Sequence, residues 1–163
     1  MFDHAGYTAK VRLMTIGYEG ANIADFVATL KASNVTALID VRELPLSRKK
    51  GFSKNKLREQ LEAAGITYIH VKQLGDPKPG RIAARTGNLA EFRRIFGAHI
   101  ELDASRDALK EILPLIEAGG ACLLCFERCH SDCHRSIVAE ELAKMADIEL
   151  VHIGVKKGLA EQH

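Results

Sequence analysis

Between Cys125 and Arg135 the chain concentrates groups able to do chemistry: Cys125, Glu127, Arg128, Cys129, His130, Asp132, Cys133, His134 and Arg135. They lie in the stretch ACLLCFERCHSDCHRSIVAEEL, Ala121–Leu142. It opens on an apolar run, Ala121–Phe126, short enough to be a buried strand, and closes in a helical pattern from about His134. All four cysteines and two of the seven histidines fall within Cys122–His134. A strand-to-helix turn loaded in this way looks like a reaction or ligand site of an α/β protein, because the helix N-terminus beneath it favours negative charge.

Four chemistries fit these residues. Arg135 and Ser136 enter the first turn of the helix, where free backbone N–H groups and a planar guanidinium suit phosphate or carboxylate; the plainer alternative has Arg135 pairing with Glu127 or Asp40 to hold two loops together. Cys125 and Cys133 are candidate nucleophiles, since a thiol near a helix N-terminus and beside His134 or Arg135 has a lowered pKa, whereas Cys122 reads as a small core residue. The spacing Cys129-x5-Arg135 resembles the phosphate-cradling loop of cysteine phosphatases and rhodanese-like enzymes. Those loops use small residues and glycines, and this one has two histidines, an aspartate and no glycine, so the spacing reads as coincidence. Cys125, Cys129, His130, Cys133 and His134 would suffice for zinc. One segment would have to wrap the ion alone or recruit His70 or His152, so no metal site is assigned. Lastly, Glu19, Asp40 and Glu127 could serve as general acid or base.

The elements that must position these groups follow from periodicity. Lys10–Ile16 reads as a strand ending in the turn Gly17-Tyr18-Glu19-Gly20. A helix capped by Asn22 follows, with Ile23, Phe26, Val27 and Leu30 inward. Val35–Val41 is nearly all apolar, as a parallel strand covered on both faces should be. A charged loop leads to Ser53, cap of a helix Lys54–Ala64 that stops at Gly65, and to a third strand, Ile66–Val71. The sixteen residues KQLGDPKPGRIAARTG read as a long functional or mobile loop. Helical patterns return in Leu89–Phe96 and in Ser105–Ala118, where Pro114 predicts a kink or a break into two pieces. Ile148–Ile153 is the fifth strand, and the tail beyond Gly154 reads as frayed.

Alternating strands and helices predict a single α/β, Rossmann-like domain over residues 1–163: about five mostly parallel strands, helices on both faces, a core near residues 10–154 and flexible ends. In such a sheet Tyr18, Glu19, Asp40, Arg42, His70, Cys125, Glu127 and His152 all fall at carboxyl ends of strands, the edge where open α/β sheets bind ligands. With no signal-peptide h-region and nothing approaching the roughly 20 apolar residues a membrane span needs, the expectation is a cytoplasmic protein without membrane contact. Cysteines packed so closely cannot staple distant parts of a fold, which favours thiol or metal chemistry over a disulfide framework. Net charge is only +2, but residues 42–94 hold thirteen Lys or Arg against five Asp or Glu. A basic middle of this kind attracts phosphates or nucleic acid unless it is simply a solvated face.

Four ordered motifs, TIGYEG (Thr15–Gly20), DVRELPLSRKKGFSKNKL (Asp40–Leu57), GITYIHVKQLG (Gly65–Gly75) and LLCFE…CHRSIVAEEL (Leu123–Glu127, Cys133–Leu142), resemble the domain of unknown function 488 family. The likeness runs from about Met14 to Leu150. It implies no particular activity, since that family is defined by sequence. Residues matching its signature include Tyr18, Glu19, Asp40, Arg42, Ser47, Arg48, Phe52, Cys125, Glu127, Cys133, His134 and Arg135, while Cys129 and His130 fall in a variable part. The resemblance thus favours Cys125 and Cys133 over Cys129, and offers Arg42, Ser47 and Arg48 as phosphate holders, with Phe52 either stacking on a base or, the favoured reading, plugging the core.

The resulting expectation is an enzyme acting on an anionic, phosphate-bearing or nucleic-acid-related substrate. Glu19, Asp40, Cys125, Glu127, Cys133 and His134 would carry the chemistry, and Tyr18, Arg42, Ser47, Arg48 and Arg135 would bind. The alternatives are a non-catalytic nucleotide- or nucleic-acid-binding module and a metal-stabilised regulatory domain. Cofactor, oligomeric state and the choice among metal, free thiols and a Cys125–Cys133 disulfide are left open.

Overall fold

Five short apolar runs become five parallel strands in the computed structural model, which describes residues 10–162: β1 (Val11–Gly17), β2 (Ala37–Asp40), β3 (Thr67–His70), β4 (Ala121–Cys125) and β5 (Ile148–Ile153). Their order in the sheet is β3-β2-β4-β1-β5. The expected flexible N-terminal end lies outside the described residues.

Six helices, α1 (Ile23–Ala32), α2 (Lys54–Ala63), α3 (Lys78–Arg85), α4 (Leu89–Ile100), α5 (Asp103–Glu117) and α6 (His134–Met145), fill the connections. From β1 to β3 the chain steps one way along the sheet, and from β3 to β5 it steps back. Right-handed crossovers in opposite directions must lie on opposite faces. Accordingly Phe26 and Leu30 of α1 and Leu57 and Leu61 of α2 pack with Ile16, Leu38 and Leu124 on one face. Phe92 and Phe96 of α4, Leu109 and Ile112 of α5, and Val138 and Leu142 of α6 pack with Leu13, Ile39 and Leu123 on the other. Each fully buried Leu, Ile or Phe contributes about 1.5–3 kcal/mol of transfer free energy.

The order of strands fixes where a site can form. The exit of β4 leads to α6 on one face, while its two neighbours, β1 and β2, exit to α1 and α2 on the other. Diverging exits open a crevice at the carboxyl edge, and here both crevices flank the end of β4.

Local details depart from expectation in four places. The predicted loop after β3 contains a 3-10 turn, Lys72–Leu74, and helix α3; Pro79 sits in the first turn of α3, where its missing N–H has no role. Helix α5 runs unbroken through Pro114, because the proline lies in the last turn on the solvent side, above the exposed Lys110. Ser53 stands at the N-cap of α2, but its hydroxyl bonds Ser47 instead of the helix, accepting from Ser47 N–H at 3.0 Å and donating to Ser47 O at 3.1 Å. The tail does not fray after Gly154: the N–H groups of Gly158 and Ala160 donate to the carboxylate of Asp25 at 2.8 and 3.0 Å, tying a 3-10 turn, Leu159–Gln162, to α1. These two bonds, set against burial, hold the Asp25 pKa below its ordinary value. No helix among the described residues is long and apolar enough to cross a membrane.

Candidate functional site

Strands β1, β2 and β4 deliver Tyr18 and Glu19, Asp40 and Arg42, and Cys125 and Glu127 to the same edge, and the start of α6 adds Cys133, His134 and Arg135. Side chains alternate along a strand. Cys125 therefore points to the α6 face, where Cys133 joins the same apolar cluster.

Two arginines frame the edge from within. Arg42 is 6 % exposed and makes a two-pronged pair with the fully buried Asp40, while its Nη1 donates to Tyr18 Oη at 3.1 Å and to Phe52 O at 2.8 Å. Burial opposes its charge, but the hydrogen bonds and ion pairing to Asp40 prevail and raise its pKa. Tyr68 also donates to Asp40, Oη to Oδ2 at 2.5 Å, sharing that oxygen with Arg42 Nη2; burial first and then the Asp40 charge push that phenol upward. Arg135, only 1 % exposed, donates from Nε to Thr15 Oγ1 at 3.1 Å, from Nη1 to Cys125 Sγ at 3.2 Å and Glu127 O at 2.5 Å, and from Nη2 to Arg128 O at 3.3 Å. Burial lowers its pKa, with Glu127 opposing. The guanidinium thus holds the turn after β4 in shape. Gly17 is required there: a Cβ on it would stand 1.7 Å from Glu127 O.

Beside this framework lies a cleft of about 800 Å³, lined by Tyr18, Glu19, Arg42, Ser47, Cys125, Glu127 and His134 among the residues singled out from sequence. Glu19 is exposed and accepts from Arg128 N–H at 3.0 Å, linking the β1 and β4 turns. Glu127 Oε2 accepts from Cys125 Sγ at 3.5 Å. The sulfurs of Cys125 and Cys133 lie in bonding contact, across a Cα separation of 7.2 Å. His134 donates from Nε2 to Val41 O at 2.5 Å, and its burial depresses its pKa to about 4, leaving the imidazole neutral. Asp40 is not a cleft-lining residue; it lies behind Arg42. Arg48 is exposed on the loop next to Ser47, whose hydroxyl accepts from Lys49 N–H at 3.0 Å. Phe52, stacked on Tyr18 at 4.5 Å, plugs the core.

The cleft also contains residues the sequence reading passed over: Glu43, Leu44, Leu46, Asp76, Arg81, Arg85 and Phe126. Asp76, 4 % exposed, has an Oδ1 with no hydrogen-bond partner. Desolvation, then the charge of Glu127, raises its pKa to about 7, with Glu43 adding and Arg81 opposing. Arg81 is engaged by Glu43 at 2.5 Å, whereas Arg85 has no ion pair among the described residues. Leu44, Leu46 and Phe126 are 54 %, 72 % and 46 % exposed and form an apolar wall. The sequence signal for Asp76 is its place in GDPKPG, where an acid followed by proline marks a turn; it falls between the 3-10 turn after β3 and the start of α3.

Cys122 is buried, with its thiol pKa pushed up by burial, and Cys129 is exposed. His130 and His152 stack at 3.7 Å, and Thr15 Oγ1 meets His152 Nδ1 at 2.5 Å; neither histidine lines the cleft. A smaller hollow of about 240 Å³ shares Glu19 and carries Lys49, Arg128 and Lys157, but none of the cysteines.

Compared with known proteins, residues 22–142 match the family described as "Domain of unknown function DUF488". That match takes in the motifs after β2, β3 and β4 and begins beyond Thr15–Gly20. No curated protein and no solved structure matches.

Proposed function

Since the chain belongs to the DUF488 family, whose description assigns no activity, we propose its function from the site: an enzyme that acts on a phosphate-bearing, nucleotide-like substrate in the cleft at the carboxyl edge of the sheet. The observation that carries this reading is Asp76, a buried carboxyl that lines the same cleft as Glu127, Cys125 and His134 and whose Oδ1, set against Gly80, has no hydrogen-bond partner. A carboxyl group kept from water and without a structural partner is suited to giving or taking a proton near neutral pH, and active sites are where such groups gather. The apolar wall of Leu44, Leu46 and Phe126 suits a base or other flat apolar body. Arg85 in the cleft, and Arg48 next in sequence to the cleft-lining Ser47, supply charge for phosphate, in line with the basic segment 42–94. Arg42 and Arg135 act in this reading as positioning residues, since most of their donors are committed to the framework.

The test is incubation with nucleoside 5′-mono-, di- and triphosphates and with single-stranded RNA and DNA, reading products by phosphorus NMR and mass spectrometry. Expected is turnover of one phosphate-bearing class, with D76N lowering kcat by about 10²–10⁴, the usual share of a general acid or base. R85A should raise KM about tenfold with kcat kept, the effect of losing about 1.4 kcal/mol of uniform binding. Steeply salt-dependent binding without turnover would replace the enzyme by a non-catalytic module. Neither binding nor turnover would sink the phosphate-bearing class.

A further inference from the structure

Acid–base work by Asp76 and Glu127 leaves the pairing of Cys125 and Cys133 with His134 unexplained. The ligand atoms of these three residues all lie within 4.8 Å of one another, and each residue is buried. Cys133 Sγ and His134 Nδ1 are 3.6 Å apart. The other ring nitrogen, Nε2, faces the carbonyl of Val41 at 2.5 Å. A carbonyl only accepts, so Nε2 carries the hydrogen and Nδ1 presents its lone pair to the sulfurs. Metal-bound histidines are held in this way, by a carbonyl or carboxylate on the second nitrogen. On the other side, Arg135 Nη1 donates to Cys125 Sγ at 3.2 Å, so a cation is set against this sulfur.

The backbone argues against a disulfide as the resting bond. The Cα atoms of Cys125 and Cys133 are 7.2 Å apart, wider than the roughly 4.4–6.8 Å that disulfides span. A tetrahedral ion with sulfur bonds of about 2.3 Å holds its two sulfurs roughly 3.8 Å apart, a looser joint that this spacing accommodates.

We propose that Cys125, Cys133 and His134 bind one zinc-class divalent transition metal, with its fourth position open to the cleft. Two thiolates and an imidazole select such an ion over magnesium or calcium. Three protein ligands with one open position is the pattern of catalytic zinc, whereas structural sites are closed by four. Cys125 and His134 both line the cleft, as does Glu127, whose Oε2 is 3.5 Å from Cys125 Sγ. Binding replaces two S–H bonds by two metal–sulfur bonds, and both protons leave to solvent. What the open position does rests on the enzymatic reading above; the metal itself is measured without turnover.

The full chain, purified and kept in reducing buffer, is analysed for metal by plasma mass spectrometry, stripped with chelator, and titrated with zinc chloride and with cobalt chloride. Expected are one zinc per chain, thiolate-to-metal charge-transfer absorption with tetrahedral cobalt bands, and two more reactive thiols after chelation. H134Q and C133S should each weaken zinc binding at least 100-fold, and C129S should leave it unchanged. Denatured mass lighter by two hydrogens in reducing buffer, substoichiometric zinc after titration, or an equal loss in C129S would overturn the site. If C133S does not fold, H134Q and the cobalt spectrum of the unaltered chain decide.

Discussion

Asp40 and Arg42, two residues apart where β2 ends, grip each other through two hydrogen bonds, Nε to Oδ1 at 2.9 Å and Nη2 to Oδ2 at 2.7 Å, with side chains 0 % and 7 % exposed. The pair is the brace between β2, Tyr18 of the β1 turn and the plug residue Phe52. Removing one partner leaves a buried charge alone, which costs about 3–5 kcal/mol. D40N and R42M should each lose that much in urea denaturation, and the double variant should lose clearly less than the two together. Strict additivity would show that the two do not act as a unit.

Asp76 makes stability fall as pH rises. Its ordinary pKa of 3.8 is raised to about 7 in the fold by burial and by Glu127 and Glu43, against Arg81. Within that window the folded chain holds a proton that the unfolded chain has released, so the penalty grows up to about pH 7 and is complete above it. Comparing D76N with the unaltered chain at pH 4 and pH 8 removes the constant cost of the substitution. The variant should gain on the order of 2–3 kcal/mol on going to pH 8, allowing for partial solvent screening. A pH-independent difference would mean that Asp76 titrates normally.

Gly17 tests the turn after β4. A Cβ there meets Glu127 O at 1.7 Å and Arg135 Nη1 at 2.9 Å, so G17A must push the β4 turn away. The expected loss is more than about 2 kcal/mol in thermal denaturation, in the range of backbone clashes and broken buried networks, with faster alkylation of Cys125. An unchanged melting temperature would mean that the two turns separate freely.

Asp25 should govern the last residues of the chain. D25A removes the acceptor of the Gly158 and Ala160 N–H groups, and hydrogen exchange at those amides should speed up while α1 stays protected. Because these bonds depress the Asp25 pKa, the anchor is present at neutral pH and is lost only as pH falls through a value below 3.8. Exchange unchanged in D25A would show that the turn is held by something else.

Hydrophobic patterning made the sheet legible: the run Ile148–Ile153 is β5 to the residue. Patterning reads burial rather than pairing, which is why the runs Val35–Val41 and Ile66–Val71 overshoot β2 and β3. Val35, Val41, Ile66 and Val71 are buried but fall outside the strand limits, although Val41 and Val71 still donate to Leu124 O and Asp40 O across the sheet. Helix α3 was hidden because proline and glycine signal loops everywhere except in a first helical turn. At the site, the residue types at strand ends were visible, but their partners were not. Nothing in the order of letters shows that Asp40 and Arg135 spend themselves on the framework or that Asp76 goes without a partner. Those facts arise from packing between residues far apart in the chain, 28 positions for Tyr68 and Asp40 and 120 for Arg135 and Thr15.

The strand order also dictates how this chain must be born. Both neighbours of β1 in the sheet, β4 and β5, are encoded after Gly120. A nascent chain that has emerged only that far can zip β2 to β3, but β1 waits with two unfilled edges and the apolar residues Leu13, Met14 and Ile16 uncovered. Pairings of such long sequence separation form slowly, and unpaired strands recruit one another between molecules. Translational pausing or premature termination before β4 therefore produces a sticky fragment rather than a smaller version of the fold, and the cleft cannot close until Cys125–His134 has been made.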